Sequence, residues 1–467
     1  MSVGDTKASI EQINTVVTRS RSTDVRGHKI RKEFIKLGPV NGANFSAGSD
    51  FRIRFPTRGL LKNNTVRVNF DLTHTGTGTL PAQIEALFVE VRATSGNNVD
   101  IERIMNSHLL SGILATGYSN DYLVSNAYEQ GLLIRAKDAQ YSRTDCNTFR
   151  NTLTVANDTA ANDAATIGDL RDLVVQMSTG VALRGVAKTN VGIPMTSEHY
   201  SFPISTLGMF QKDAILPLAG FTADFASGYS FELMMRLGSV AEMSAGGSDL
   251  TGLTLSNVFI SAELVYDDIV EEQLLDRVKS DSGLDFEYTT FINHSQSIPG
   301  SGNQAHYIVS NERDVRGIYS VVNETASMSN NVKFKNDNCA DYRINTLQYT
   351  KGTQNYPNDI IQNDAQLMSY FLTSMHKQNH VQQGSGRVNL ENYQKPSPLN
   401  TTQLGTRVYG MDFQAYSGGR WSGFNFVAMP EPLFINANYT CPTAATINHF
   451  LVCSRILKIR KDGVRLE

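Results

Sequence analysis

"VFISAELVYDDIVEEQLLDRVKSD", residues 258–281, changes period in its middle. Val258, Ile260, Ala262, Leu264 and Tyr266 recur at every second position, the period of a strand with one face in a core. After Asp267 the spacing becomes helical, with Val270, Leu274 and Val278 as one apolar stripe. Asp268 with Glu271 three residues on is a capping-box pattern, and Gly283 can close the helix. A long strand that runs into a short helix reads as the end of one module and the bridge to the next.

Outward from this stretch, alternation recurs in "FRIRFP" (Phe51, Ile53, Phe55), "VRVNFDLT" (Val66, Val68, Phe70, Leu72), "LFVEVRA" (Leu87, Val89, Val91) and "YSFELMMRL" (Phe231, Leu233, Met235, Leu237). Turn-forming Gly, Pro, Asn and Asp lie between these segments. Helices are expected over 97–114, 357–375 and 267–283. The layout repeats: strand 86–93 leads through a polar loop to a helix near Asp100, and strand 341–350 to a helix near Asp359. Each half ends on a long apolar strand, Val258–Tyr266 and Phe450–Ile459. The expectation is an all-β chain of two eight-stranded sandwiches with a few short helices. Its divisions are a basic arm (1–32), a first sandwich (33–268), a linker helix (269–284) and a second sandwich (285–467). The polar stretch at about 136–200 reads as a surface excursion.

The 467 residues exceed one core, and 40% hydrophobic with 19% charged residues is a globular balance. A net charge of −3 excludes a nucleic-acid footprint spread over the whole chain. Cys146, Cys339, Cys441 and Cys453 form no C-x-x-C pair and read as reduced, buried residues. The N-terminus has no apolar secretory segment, and no apolar run reaches the roughly 18 residues of a membrane helix. Synthesis in the host cytoplasm without a signal peptide is the expectation.

A search for chemistry returns little. His376 and His380 are four apart, but position 377 is Lys where a zinc protease needs Glu, and no third ligand is signalled. Asp267, Asp268, Glu271 and Glu272 suit a helix N-terminus better than acid–base work. No phosphate-binding glycine loop and no nucleophile elbow occurs. Trp421, near Tyr416 and Arg420, can stack a sugar or base, or pack at a sheet edge. No enzyme activity and no cofactor are expected. The strongest charge feature is the arm: Arg19, Arg21, Arg26, Lys29, Arg31 and Lys32, six cations that suit a polyanion or an assembly neighbour. Lys458, Arg460 and Lys461 form a second basic group where the last long strand leaves its core.

Several stretches together carry a family likeness. Residues 258–281 resemble the end of the first jelly roll in double jelly-roll major capsid proteins of tailless icosahedral viruses, the lineage of adenovirus hexon and of tectivirus, virophage and polinton-like virus capsid proteins. "SFPISTLGMF", "ILPLAGF" and "YSFELMMRL" resemble the strands before that point. "YPNDIIQNDAQLMSYFL" resembles the helix-bearing part of the second roll, and "LVCSRILKIRKDG" its last strand. The resemblance implies a structural protein of the virion. It would form homotrimers whose six jelly rolls make a pseudo-hexagonal capsomer, meeting neighbouring capsomers and minor capsid or penton proteins. The arm and Lys458, Arg460 and Lys461 would then be interior or assembly contacts, toward viral genome or an internal membrane. Two other readings suit a β-rich chain: a viral spike or receptor-binding protein, and a β-sandwich carbohydrate-binding protein.

Overall fold

Strand pairing sorts the chain into two sandwiches of the same winding. The computed structural model describes residues 30–73, 79–80, 84–115, 117, 186–187, 198–212, 214–222, 228–240, 252–280, 283–325, 342–378, 380, 407–416 and 421–467. The first sandwich is built from β1 (Arg31–Leu37), β2 (Asp50–Arg54), β3 (Leu60–Thr73), β4 (Phe88–Ser95), β5 (Asp100–Met105), β6 (Glu198–Pro203), β7 (Phe231–Leu237) and β8 (Thr254–Tyr266). The second is built from β9 (Leu284–Ile298), β10 (Gly302–Ile308), β11 (Val315–Glu324), β12 (Arg343–Lys351), β13 (Gln354–Ile361), β14 (Tyr409–Asp412), β15 (Leu433–Thr440) and β16 (Ala445–Arg460).

In the first sandwich β1-β8-β3-β6 face β2-β7-β4-β5; in the second β9-β16-β11-β14 face β10-β15-β12-β13. All these pairings are antiparallel. Adding eight to every label of the first pair of sheets gives the second pair. That winding, in which the first strand lies beside the last and the second beside the seventh, is the jelly roll. The all-β expectation of tandem jelly rolls is met. Short strands extend the sheets, among them Ile215–Pro217 on β3 and Gly463–Leu466 on β16.

Most of the alternating residues expected to face inward do so; Tyr266 is half-buried, and an irregularity at Val89 puts Phe88 rather than Val89 in the core cluster. Phe51, Ile53, Val68, Phe70, Val91, Leu233, Met235, Ile260 and Leu264 are fully buried. β8 keeps its inward apolar series from Val258 to Leu264, while Leu255 is buried three residues before Val258 because the first of two register shifts changes the phase. At the first shift Asn257 takes a left-handed φ of 49°, which asparagine tolerates well.

The helices need correction at their starts. Residues 100–105 are strand β5, and the helix of the expected 97–114 span is only α1 (Ser107–Ala115). Ile101 and Ile104, three apart, imitate helical spacing because β5 bulges at Ile101, where its register on β4 shifts, and both isoleucines are buried. Residues 354–361 are β13, and the expected helix over 357–375 is α4 (Asp364–Lys377), capped by Asn363 accepting from the Gln366 amide at 2.8 Å. β13 lies at a sheet edge with most residues exposed, so it shows no alternation, and an edge strand admits Pro357. A four-residue turn of helix, α2 (Gly208–Gln211), lies between β6 and Ile215–Pro217.

The bridging helix is α3 (Asp268–Lys279), with Val270, Leu274 and Val278 buried as expected. Its cap is Asp267, not Asp268: the Asp267 carboxylate accepts the Val270 amide at 3.1 Å. Glu271 instead accepts the Gly59 amide at 3.1 Å, tying the helix to the start of β3. Asp267→Ala is expected to cost about 1 kcal/mol, read as a lower unfolding midpoint with unchanged slope in denaturant; an Asp268→Ala loss of the same size would return the cap to position 268.

The arm residues Arg19, Arg21, Arg26 and Lys29 lie outside the described residues, as does most of the excursion. Arg31 and Lys32 are strand residues of β1, opposite Tyr266 and Val265. At the other end of the excursion, Tyr200 and Phe202 of β6 are buried in the core.

Candidate assembly surfaces

β16 is apolar on both faces because it lines two cores. Leu451 and Cys453 pack into the second sandwich, while Phe450 and Val452 between them join the first sandwich's cluster, together with Phe286, Tyr288, Phe291, Leu457 and Ile459. A strand at an ordinary surface would alternate apolar with polar. This one is interior on both sides, so the rolls are packed together along β9 and β16.

Polar contacts fix the register of that seam. Tyr288 Oη donates to the Ile101 carbonyl at 2.5 Å, and Lys212 Nζ to the Glu287 carbonyl at 3.0 Å. Asn106 Nδ2 donates to Asn293 Oδ1 and Asn448 Oδ1, each at 3.1 Å. Glu102, fully buried on β5, accepts from the Gly208 amide at 3.0 Å, the Met209 amide at 3.3 Å and the Thr290 hydroxyl. Burial pushes its carboxyl pKa up to about 7 against these donors. The Gly208 backbone lies so close that a Cβ there would come within 1.5 Å of the Thr289 carbonyl oxygen.

Composition and periodicity single out none of Glu102, Asn106 or Gly208. Glu102 carried one readable sign, a lone carboxylate between Ile101 and Ile104. Gly208 carried none, since its constraint comes from a backbone about 80 residues further along.

The second basic group is held locally. Arg460 bonds Asp285 Oδ1 at 2.8 Å and the Leu284 carbonyl at 3.1 Å; Lys458 pairs with Glu467. Lys461, beside them, begins the turn into Gly463–Leu466. Arg31 pairs with Glu33 and lies over the Tyr266 ring, and Lys32 pairs with Glu263 at 2.8 Å. Arg31 and Lys32 stand with the second basic group at the α3 end of the molecule. Arg31 opposes Tyr266 just before α3, and Ile459 opposes Leu284 just after it.

The sequence candidates for chemistry do not converge. His376 is exposed, while His380 Nδ1 faces Tyr319 Oη at 2.9 Å. Among the described residues no group of three His, Cys, Asp or Glu is placed to hold a metal. Trp421 and Tyr416 are exposed; Arg420 lies outside the described residues. Cys441 and Cys453 are buried and unbridged, and Cys146 and Cys339 lie outside the described residues. No described helix is long and apolar enough to cross a membrane.

A polar cluster lies within the second core instead. His294 and His449 are directly opposed on β9 and β16, and His306 reaches across from β10 with its ring 6.3 Å from that of His449. His449 Nδ1 lies 2.7 Å from Ser320 Oγ. The Nε2 atoms of all three find no hydrogen-bond partner among the described residues. Burial lowers all three imidazoles, His449 to about 3, where the other two add repulsion.

No family model and no curated protein matches the chain. Solved structures do. A chain of the PBCV-1 virus capsid matches at TM-score 0.55 and 13% identity, covering 95% of this chain and 98% of that one. The Faustovirus major capsid protein matches at TM-score 0.53 and 8% identity, covering 96% and 98%. The likeness therefore spans both rolls and nearly the full length of each protein, and at these identities it is a likeness of architecture. The chain has the double jelly-roll fold of major capsid proteins.

Proposed function

We propose that this protein is a major capsid protein, a structural and non-enzymatic subunit of an icosahedral virus shell. It acts as a homotrimer whose six jelly rolls form a pseudo-hexagonal capsomer.

One observation carries the reading. The seam inside the chain sets the outer face of the β9-β16-β11-β14 sheet against the β5 end of the first roll. Because the rolls share one winding, each half of that seam has a counterpart, and among the described residues both counterparts are open. The outer face of β1-β8-β3-β6 presents Phe34, 76% exposed, and β13 is the edge strand of its sheet. A second copy can lay the first face on the second as the chain already does internally. Such a heterologous contact closes into a ring when its rotation is a third of a turn, and three chains then supply six rolls.

The α3 end, with Arg31, Lys32, Lys458, Arg460 and Lys461, is the natural inner surface. From there the arm with Arg19, Arg21, Arg26 and Lys29 would reach genome, an internal membrane or a neighbouring capsomer. Contacts with minor capsid or penton proteins would use the perimeter. Native mass spectrometry with negative-stain imaging tests the reading: a stable trimer of hexagonal outline is expected. A monomer whose melting responds to glycans would overturn it in favour of a carbohydrate-binding protein. Deleting residues 1–29 should leave the trimer intact and impair shell formation. Loss of the trimer would make the arm part of the fold.

A further inference from the structure

The equivalent outer sheets of the two rolls differ sharply in charge. The outer face of β2-β7-β4-β5 is laced with ion pairs: Arg54 with Glu232 at 2.8 Å, Arg103 with Glu90 at 2.8 Å, Arg236 with Glu90 at 3.4 Å, and Arg92 with Asp100. The strands β10, β12, β13 and β15 hold only Arg343, Lys351 and Asp359. Of these, Lys351 is buried and donates to the Met429 and Glu431 carbonyls. Amides and aromatic rings cover the face instead.

The outward residues are ordered along the strands. Tyr307 is opposite Phe434, Ala305 opposite Asn436, and Asn303 opposite Asn438. Tyr307 is 63% and Phe434 41% exposed, so the aromatic pair projects as a knob. Next to it lies a concavity of roughly 380 Å³, lined by Asn303, Gln304, Thr346, Gln348, Ile360 and Asn436. Knob and hollow are about two residues apart along the strand, some 7 Å.

We propose that this face is a self-contact surface between copies of the chain in neighbouring capsomers. A twofold axis through the face places the Tyr307–Phe434 knob of each copy in the hollow of the other. The inference rests on the capsid reading and adds the surface and its pairing. A knob and a hollow side by side on one face are what an isologous contact requires, since the same patch must complement itself. The absence of ion pairs on this face among the described residues suits a neutral partner rather than a charged one, and the most abundant neutral partner in a shell is the same face. Four strands about 4.8 Å apart and about 24 Å long cover on the order of 450 Å² per copy. Twice that lies below the roughly 1,200 Å² of a stable isolated complex. The contact is therefore weak alone and effective when repeated around a shell.

The test uses the full chain with Asn436→Asp and Asn436→Lys made separately. Asn436 is exposed, so both variants should melt like the unaltered protein. Light scattering and imaging should show trimers that associate at least tenfold more weakly than unaltered ones, because like charges face each other across the twofold. An equimolar mixture of the two variants should restore association, and association of the unaltered protein through this face should persist from 0.1 to about 1 M salt. Association of either variant at the unaltered level overturns the proposal alone. So does failure of the mixture to restore it, which would mean that the face meets a different surface. Binding of a neutral oligosaccharide that both variants lose while shells still form would make the face a glycan site and also overturn it. An unaltered protein that stays monomeric fails before any substitution, and overturns the capsid reading together with this one.

Discussion

Gly208→Ala is expected to yield a chain that is largely insoluble, or that melts about 10 °C or more below the unaltered protein. An added Cβ would lie 1.5 Å from the Thr289 carbonyl oxygen and 2.7 Å from its carbon. Those atoms belong to β9, which is hydrogen-bonded along its length to β16, so the obstacle is backbone and cannot rotate away. Ordinary overpacking costs about 1–3 kcal/mol. Here the two rolls must also separate, which pulls the Gly208 amide from the buried Glu102 carboxylate and adds the penalty of an unsatisfied group, about 1–3 kcal/mol. Gly38→Ala is the control, since a Cβ there meets nothing within 4 Å. Equal melting temperatures for the two variants would show that the seam is not tightly packed at this point.

The second large effect is a pair of opposed pH responses. His449 is buried and its pKa is lowered to about 3, against about 6.5 in an unfolded chain. A lowered imidazole contributes stability that is complete above about pH 6.5 and is lost as the pH falls. At pH 5 the loss is about 2 kcal/mol. His294 and His306 are lowered in the same direction, as is His380, to about 4. The other groups around His449 are Ser320 and Tyr439, the latter edge-on to His306, and neither supplies a negative charge near neutrality. Glu102 works the other way. Its pKa is raised from 4.5 to about 7, so the cost of ionising it grows between those values and is relieved on acidification, by about 2 kcal/mol from pH 7 to pH 5. His449→Asn should therefore reduce the acid loss by about 2 kcal/mol, and Glu102→Gln should increase it by about as much. Denaturant titrations at pH 7 and pH 5 measure both. Equal pH dependence in all three proteins would show that neither group is buried as described.

The fold was largely legible because the strands of a one-sided sheet carry their own evidence. β8 and β7 alternate so cleanly that their inward residues can be named from the sequence. β5 and β13 defeated the same method for different reasons. β5 bulges at Ile101, so the buried Ile101 and Ile104 fall three apart and imitate a helix, and β13 is exposed, so it shows no pattern. The cap of α3 was displaced by one residue because two adjacent aspartates offer the same signal. Surfaces were less legible than cores. The apolar faces of β16 announced a buried strand, but its partners on the far side come from the other roll. Glu102, Asn106 and Gly208 act only across that gap, and nothing local marks them.

The placement of β16 also has a consequence in time. In the second roll β9 has a single neighbour among the described strands, β16, and roughly 150 residues separate the end of one from the start of the other. At about 5–20 residues per second, a ribosome takes on the order of 10–30 seconds to make that interval. Through it β9 carries an unpaired edge, and the apolar side of the seam has no cover. β1 waits for β8 in the same way in the first roll. The growing chain is thus most vulnerable to aggregation just before β16 emerges, and one late segment then completes the second sheet, its core and the junction with the first roll together.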